Sequence, residues 1–407
     1  MIQFVVKDSV KKINRSLILK EILQSGPCTK IELSEKFNLT FQTVGNVIKE
    51  LEDADLIENV GYGKSSGGRP PILYNMNWSS VYVISLAIEV EQITVGIVDL
   101  KGTVIDEELI MINSTNFIES VIELIDRVIN HSNINHEKIA GIGVSAPGPL
   151  DLVDGKVLTP PNLKGIANID IQKKLEEKYN IPVVLERDAN AFALAEQWFN
   201  KSELNENILY VYNDQGLGGG MIINSRIHRG IGNSAGEIGH MVIDIDGPRC
   251  NCGNFGCLEA LSSGIAIRRK VEEGIKRGFN SSLNEYYLKN DRVPSIDMII
   301  EHANEDDELA NSVLKEAERY LGLGITNVMN LFSPDKIVFG GSVIALYPEM
   351  IEAVELIAKQ RAFSPSSQQT RFIKSKFINH SNVIGGAAVI QQVLFDNPEA
   401  IINEKSE

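Results

Sequence analysis

Cysteine and tryptophan are scarce: 407 residues contain four Cys and two Trp, and aromatic side chains make up only 6% of the chain. So few cysteines argue against a disulfide-built secreted scaffold and leave the core to aliphatic packing. Long apolar runs are missing as well. No stretch approaches the roughly 18 residues that a helical membrane span requires. The opening MIQFVVKDSVKKINRS turns charged too early for a secretory signal. The expected setting is a reducing cytoplasm, with no membrane partner.

Surplus positive charge is also absent. A net charge of −15 argues at face value against nucleic acid, but its distribution softens that reading. Residues 1–75 carry 10 Lys+Arg against 9 Asp+Glu, a net of +1 that leaves −16 for the remainder. A weakly basic module on an acidic body binds DNA only through local Lys/Arg placement and dimerisation. The length predicts two or three domains, and 43% hydrophobic with 23% charged residues is the composition of a globular protein.

What cysteine there is lies together. Cys250, Cys252 and Cys257 fall within eight positions, and His240 precedes them by ten. Three thiolates and one imidazole fill a tetrahedral Zn²⁺ shell and leave no open position for catalytic water. Gly253 and Gly256 supply the tight turns that such a loop needs. The alternative is a set of reduced residues with no metal. The spacing favours structural zinc.

The N-terminal segment reads as three helices and a hairpin. Residues 11–25 place Ile13, Leu17, Ile18, Ile22 and Leu23 on one stripe. Gly26-Pro27 ends that helix, and Thr29 caps a short second one, Lys30–Phe37. A third, capped by Thr40 and running to about Asp53, turns Val44, Val47, Ile48 and Leu51 inward. Thr40, Phe41, Gln42, Thr43, Asn46 and Lys49 remain available to base edges and phosphates, as on a recognition helix. Leu56-Ile57 and Ile72-Leu73-Tyr74 flank GYGKSSGGRPP, a β-hairpin wing whose Lys64 and Arg69 would reach phosphate or the minor groove. A three-helix protein-interaction module is the alternative. Gly45 in mid-helix costs about 1 kcal/mol relative to Ala; close approach to DNA or to the second helix would compensate.

Beyond Trp78 the rhythm changes. Apolar strands (VYVISLAI, ITVGIVDL, TVIDEELIMI) precede a helix near 117–131, the strand KIAGIGVSAPGPLD, a helix at 169–180, the strand PVVLE and the helix DANAFALAEQWF. ILYVYND and GGGMIIN, with a hairpin at Asn224–His228, begin a second set. Strands in groups followed by helices, presented twice, predict an α/β architecture of two lobes around a cleft, with ligands at the strand ends.

The landmarks SAPGPLD, PPNL, RDANAFALAE, GLGGGMII, NSAGEIGHM, CNCGNFGCLE and IVFGGSV stand in the order of the ROK family (repressors, open reading frames, sugar kinases). The chain resembles that family over essentially its full length, and KKINRSLILKEIL with SSGGRPPILYN is similar to its repressor branch. The resemblance implies a winged helix-turn-helix at 1–75 and a two-lobed, actin-like (ribonuclease H-like, ATPase-type) sugar-kinase fold. The first lobe would span 76–195, completed by a C-terminal helix near 385–398, and the second, with the zinc motif, 196–384. It also implies a homodimer or homotetramer.

Carried over residue by residue, the family's sugar contacts fall on Asn162, Asp188, Glu237, His240 and Glu259. A polyol needs several fixed hydrogen-bond partners of this kind; for the carboxylates the alternative is solvated surface charge. Asp188 matches the general base of the kinases. Arg187 stands where sugar-binding members usually have Asn, and would contact an anionic ligand or pair with Asp188 or Glu237. The phosphate loops depart further. The family's Asp-x-Gly-Gly-Thr is Ala87-Ile88-Glu89-Val90-Glu91 here, and a Gly-Thr is replaced by Asp214-Gln215, although Gly216, Gly218, Gly219, Gly220, Gly340 and Gly341 persist. Glutamates where a polyanion should sit oppose phosphate, and phosphoryl transfer depends on charge neutralisation. ATP is therefore not expected, and Asp188 is read as vestigial. The sequence thus predicts a repressor that binds operator DNA of carbohydrate-utilisation genes. Its effector would be a sugar or sugar derivative, xylose-like or other; the alternative is a sugar kinase with an accessory DNA-binding domain.

Overall fold

The structure, a computed structural model, describes residues 2–64, 69–160, 163, 165–200, 206–378 and 381–402; the side chains of residues 2–9 and 381 lie outside that description. The chain opens with α1 (Ile2–Ser25), β1 (Cys28–Thr29), α2 (Lys30–Phe37), α3 (Phe41–Asp53), β2 (Ile57–Tyr62) and β3 (Ile72–Met76). α1 begins nine residues earlier than its apolar stripe predicts, because no glycine or proline interrupts the chain before Gly26, which takes a φ of +79°. Thr29 and Glu32 form a reciprocal capping box on α2, and Asn38 ends that helix in the left-handed conformation. Thr40 caps α3 by accepting from the Thr43 N–H. Ile18, Leu19, Ile22, Leu33, Val44, Ile48 and Leu51 are almost fully buried and make the trihelical core. The wing strands pair antiparallel in the order β1-β3-β2.

The first lobe follows: β4 (Tyr82–Ile88), β5 (Gln92–Asp99), β6 (Val104–Met111), α4 (Phe117–His131), β7 (Ile139–Ala146), the short pair β8 (Leu150–Asp151) and β9 (Lys156–Val157), α5 (Ile171–Tyr179) and β10 (Val183–Arg187). The sheet runs β10-β7-β4-β5-β6, antiparallel through β4, β5 and β6 and parallel from β4 to β7 and β10. β4 and β7 are buried along their whole length, as central strands covered on both faces are. α4 turns Phe117, Val121, Leu124, Ile125 and Val128 onto the sheet.

The second lobe repeats the plan. After α6 (Asp188–Phe199) come β11 (Ile208–Asn213), β12 (Leu217–Ile223) and β13 (Arg226–Ile227), then α7 (Leu258–Ser262), α8 (Gly264–Lys276), α9 (Leu283–Asn290), α10 (Ile296–Asn304) and α11 (Glu308–Phe332). β14 (Lys336–Gly340), α12 (Ser342–Leu346), α13 (Met350–Arg361) and β15 (Arg371–Lys374) complete it. Its sheet order, β13-β12-β11-β14-β15, is again an antiparallel meander extended by two parallel strands. The repetition of strands that the sequence shows is thus a repetition of topology.

Finally α14 (Ser381–Asp396) and α15 (Glu399–Ile402) close the chain. α14 lies against the first sheet at a point where only glycine fits: a Cβ on Gly386 would stand 2.3 Å from Ser85 Oγ and 2.6 Å from the Gly143 carbonyl oxygen. The chain divides into two compact units, 1–188 with 382–407, and 189–381. The sequence reading places the lobe boundaries at 195/196 and 384/385, a few residues later. It also treats 1–75 as separate, whereas the winged helix falls in the first unit.

Candidate functional site

In the second unit His240, Cys250, Cys252 and Cys257 offer one ligand atom each, all within 4.8 Å of one another. The loop that gathers them is folded by backbone contacts. Val242 and Arg249 bridge to Cys257 and Phe255, and the Cys250 N–H donates to the Asn254 carbonyl at 2.8 Å. Gly256 takes a φ of +65°, and a Cβ there would lie 1.5 Å from the Asp244 carbonyl oxygen, so no other residue turns this corner. Cys252 Sγ and Cys257 Sγ are 3.7 Å apart, and Cys250 Sγ is 3.9 Å from His240 Nδ1. Ligand bonds of about 2.3 Å give a tetrahedral edge of ~3.8 Å, so the donor set fits a zinc ion. Burial pushes the Cys250 thiol up to about 12 and raises Cys257 as well, while the Asn254 N–H lowers Cys252.

Glu259, two residues past the last cysteine, is joined to this cluster. Its Oε1 lies 3.6 Å from Cys250 Sγ, and its Oε2 accepts from the Leu217 N–H at 3.0 Å. The carboxylate thereby links the cysteine loop to the glycine-rich start of β12. Glu237 is exposed at the head of a 3₁₀ turn that carries His240, and its carbonyl accepts from the His240 N–H at 3.1 Å. Glu237, His240 and Glu259 are therefore brought into one neighbourhood by a short turn and the cysteine loop.

The first unit holds the other predicted ligand residues. Arg187 is buried at the end of β10, and Asp188 is half-buried at the start of α6. A Cβ on Gly148 would stand 3.6 Å from Arg187 Cδ, so the SAPGPLD loop covers the arginine stem. Asn162 lies outside the described residues.

The two stretches that the resemblance sets against the family's phosphate loops both hold carboxylates with protein partners. Ala87 is buried near the end of β4, and Glu89 opens the turn to β5. Glu89 Oε2 accepts from Gln92 Nε2 at 2.8 Å and Thr94 Oγ1 at 3.2 Å, and Oε1 accepts from Asn382 Nδ2 at 2.6 Å. In the second unit Asp214 accepts from Tyr212 Oη at 2.9 Å and from Ser342 Oγ. The partners Asn382 and Ser342, 293 and 128 positions away, carry no signal in the sequence.

On the winged helix, Phe41, Gln42, Asn46 and Lys49 are exposed on α3, Thr40 caps it by accepting from the Thr43 N–H, and Lys64 and Arg69 are exposed at the wing. Residues 65–68 of the wing tip lie outside the described residues. A Cβ on Gly45 would meet nothing within 4 Å, which removes close approach to α2 as the reason for that glycine.

Comparison with known proteins follows this division. A model of the ROK family matches residues 83–393, and one of the MarR family matches residues 13–59. The chain is 30% identical to the xylose repressor of Bacillus subtilis (strain 168), over 94% of this chain and 95% of that protein. The crystal structure of a ROK family transcriptional regulator, a homologue of the Escherichia coli MLC protein, is similar with a TM-score of 0.83 and 28% identity, covering 97% of this chain and 99% of that one. A ROK hexokinase from Thermus thermophilus is similar with a TM-score of 0.63 and 26% identity, but covers only 77% of this chain against 99% of its own.

Proposed function

Because the chain belongs to the ROK family and carries a winged helix ahead of the family body, we propose that it is a sugar-responsive transcriptional repressor. The observation that carries this reading is α3: an apolar face in the trihelical core, and an outer face of Gln42, Asn46 and Lys49 open to solvent. Asn and Gln read adenine edges, and Lys neutralises phosphate. The likeness to a ROK regulator extends over this module, whereas the likeness to a ROK hexokinase covers 77% of the chain. The operator would belong to carbohydrate-utilisation genes, and a homodimer or homotetramer in the cytoplasm would present paired recognition helices to it.

In this reading the effector is a sugar or sugar derivative. Glu237, His240 and Glu259 are the proposed contacts in the second unit, and Arg187 and Asp188 are further candidates. Zinc held by His240, Cys250, Cys252 and Cys257 would be structural: with four protein ligands it would fix the loop and leave no water to activate. A sugar acts as inducer only if it binds the DNA-competent and DNA-incompetent states with different affinity. The test is gel-shift binding of the full chain to DNA upstream of its own operon. Sequence-preferring binding at moderate salt, relieved by one sugar of a panel, is the expected result; no preference over unrelated DNA would refute the proposal.

Kinase activity is not part of the proposal. The carboxylates of Glu89 and Asp214 stand in both phosphate-loop stretches, and negative charge there opposes a triphosphate. A kinase is the second reading, favoured by Asp188 and by Gly218, Gly219 and Gly220 on β12. ADP release with hexoses, pentoses and N-acetyl sugars separates the two. Turnover that Asp188→Asn abolishes would establish the kinase.

A further inference from the structure

One guanidinium ties the recognition helix to the end of the chain. Arg15, on α1, places Nε and Nη2 each 2.6 Å from Glu50 Oε2 on α3, and its Nη1 lies 3.4 Å from Glu399 Oε1 at the start of α15. The next residue, Ser16, donates its hydroxyl to the Phe395 carbonyl at 2.7 Å. Lys20, four residues further along α1, pairs with Asp396. Positions 16 and 20 share a face of the helix, with Arg15 beside them. Their partners fall at the junction of α14 and α15, within five residues of one another.

At its other end α14 is held by the first lobe. Asn382 donates to Glu89, Gln391 Nε2 donates to the Leu100 carbonyl at 3.1 Å, and Gly386 packs against Gly143. A continuous series of contacts inside one unit therefore runs from the turn after β4, along α14, through Arg15, to Glu50 on the recognition helix. The first turn of α14 also lies where the chain passes from the second unit back to the first.

The chemistry of the junction suits orientation better than locking. Arg15 is mostly covered, with 12% of its side chain exposed, and engages two carboxylates on different elements. A planar guanidinium fixes their relative geometry as a lysine does not. Beside it stand the Ser16 hydrogen bond and the partly solvated Lys20–Asp396 pair, each weak alone. We propose that Arg15 is a positioning residue for DNA recognition: it couples α3 to the C-terminal helices, so that a displacement of α14 is passed to the recognition helix. This rests on the repressor reading and names the part of the chain through which the body steers DNA binding.

Charge reversal in the full chain tests it. Backbone hydrogen exchange of residues 16–25 and 41–53 is compared in wild type, Lys20→Asp, Asp396→Lys and the double reversal, with Asp396→Asn as a milder variant should the lysine disturb folding. Glu399→Gln tests the Arg15 arm and leaves Arg15–Glu50 in place. Exchange in α1 and α3 should rise about three- to tenfold in each single variant, return towards wild type in the double reversal, and stay unchanged in β4 and β5. Unchanged exchange in α3 for Asp396→Asn and Glu399→Gln would overturn the coupling. So would a double reversal no better than the singles. The expected exchange pattern across the variants, with no DNA binding by the wild-type chain, would overturn the repressor reading and the positioning role with it, while the docking of α1 on α14 would stand.

Discussion

The Leu217 N–H donates to Glu259 Oε2 at 3.0 Å, while Glu259 Oε1 lies 3.6 Å from Cys250 Sγ. One carboxylate thus serves the cysteine loop and the glycine strand together. Glu259→Ala would leave the Leu217 N–H, on a residue only 5% exposed, without its acceptor. An orphaned buried donor costs about 1–3 kcal/mol, and for a unit of the size of 189–381 each kcal/mol lowers Tm by roughly 2–4 °C. The melting temperature should fall by several degrees, and the sugar that stabilises wild type should no longer do so. A variant that melts as wild type and still responds to the sugar would remove Glu259 from both roles.

Cys252 is the exposed cysteine of the cluster, so its replacement tests metal binding with little loss of packing. Cys252→Ser should lower bound zinc from about one ion per chain to a small fraction, read by atomic absorption after dialysis. Zinc stabilises by binding the folded state, so a chelator should lower the Tm of wild type far more than that of the variant. Equal chelator effects on the two proteins would show that the thiols hold no structural ion. If His240 orients the sugar contacts through the metal, Cys252→Ser should weaken sugar binding as well.

Local chemistry made much of this legible beforehand. Thr29 with Glu32, and Thr40 ahead of an apolar stripe, announce α2 and α3, because capping acts over three residues. The clustering of His240 with the three cysteines was readable for the same reason, the cysteines lying within eight positions and turned by Gly253 and Gly256. Other features lie between residues far apart in the chain. Arg15 reaches Glu50 and Glu399 across 35 and 384 positions, and Glu89 finds Asn382 across 293. No periodicity encodes such pairs. Glu89 reads in the sequence as a charge repelling phosphate, and in the structure it is an acceptor that fastens the start of α14.

Asn46 and Lys49 sit one turn apart on the exposed face of α3 and should fail differently. Asn46→Ala should cost about 1–3 kcal/mol at one operator position and relax the preference there. Lys49→Ala should weaken binding to all sequences alike and reduce the salt dependence by about one ion. Fluorescence anisotropy with single-base operator variants across a salt series measures both. Uniform weakening by Asn46→Ala, or a changed base preference in Lys49→Ala, would exchange the two assignments.

The acid response of the winged helix should pass through Glu50. Burial alone would raise its pKa, but hydrogen bonds from Arg15 and Lys11 outweigh burial and hold it below the ordinary 4.5. A carboxylate depressed in the folded state contributes its stability in full above the unfolded pKa, and loses it as pH falls through the native value. The stability difference between wild type and Glu50→Gln, read from hydrogen exchange in α3, should therefore stay level from about pH 8 to about pH 5.5. Below about pH 4.5 it should shrink as the wild-type carboxyl takes up its proton. A difference that grows on acidification would mean that Glu50 is held in its neutral form, and that Arg15 does not bridge it to the C-terminal helices.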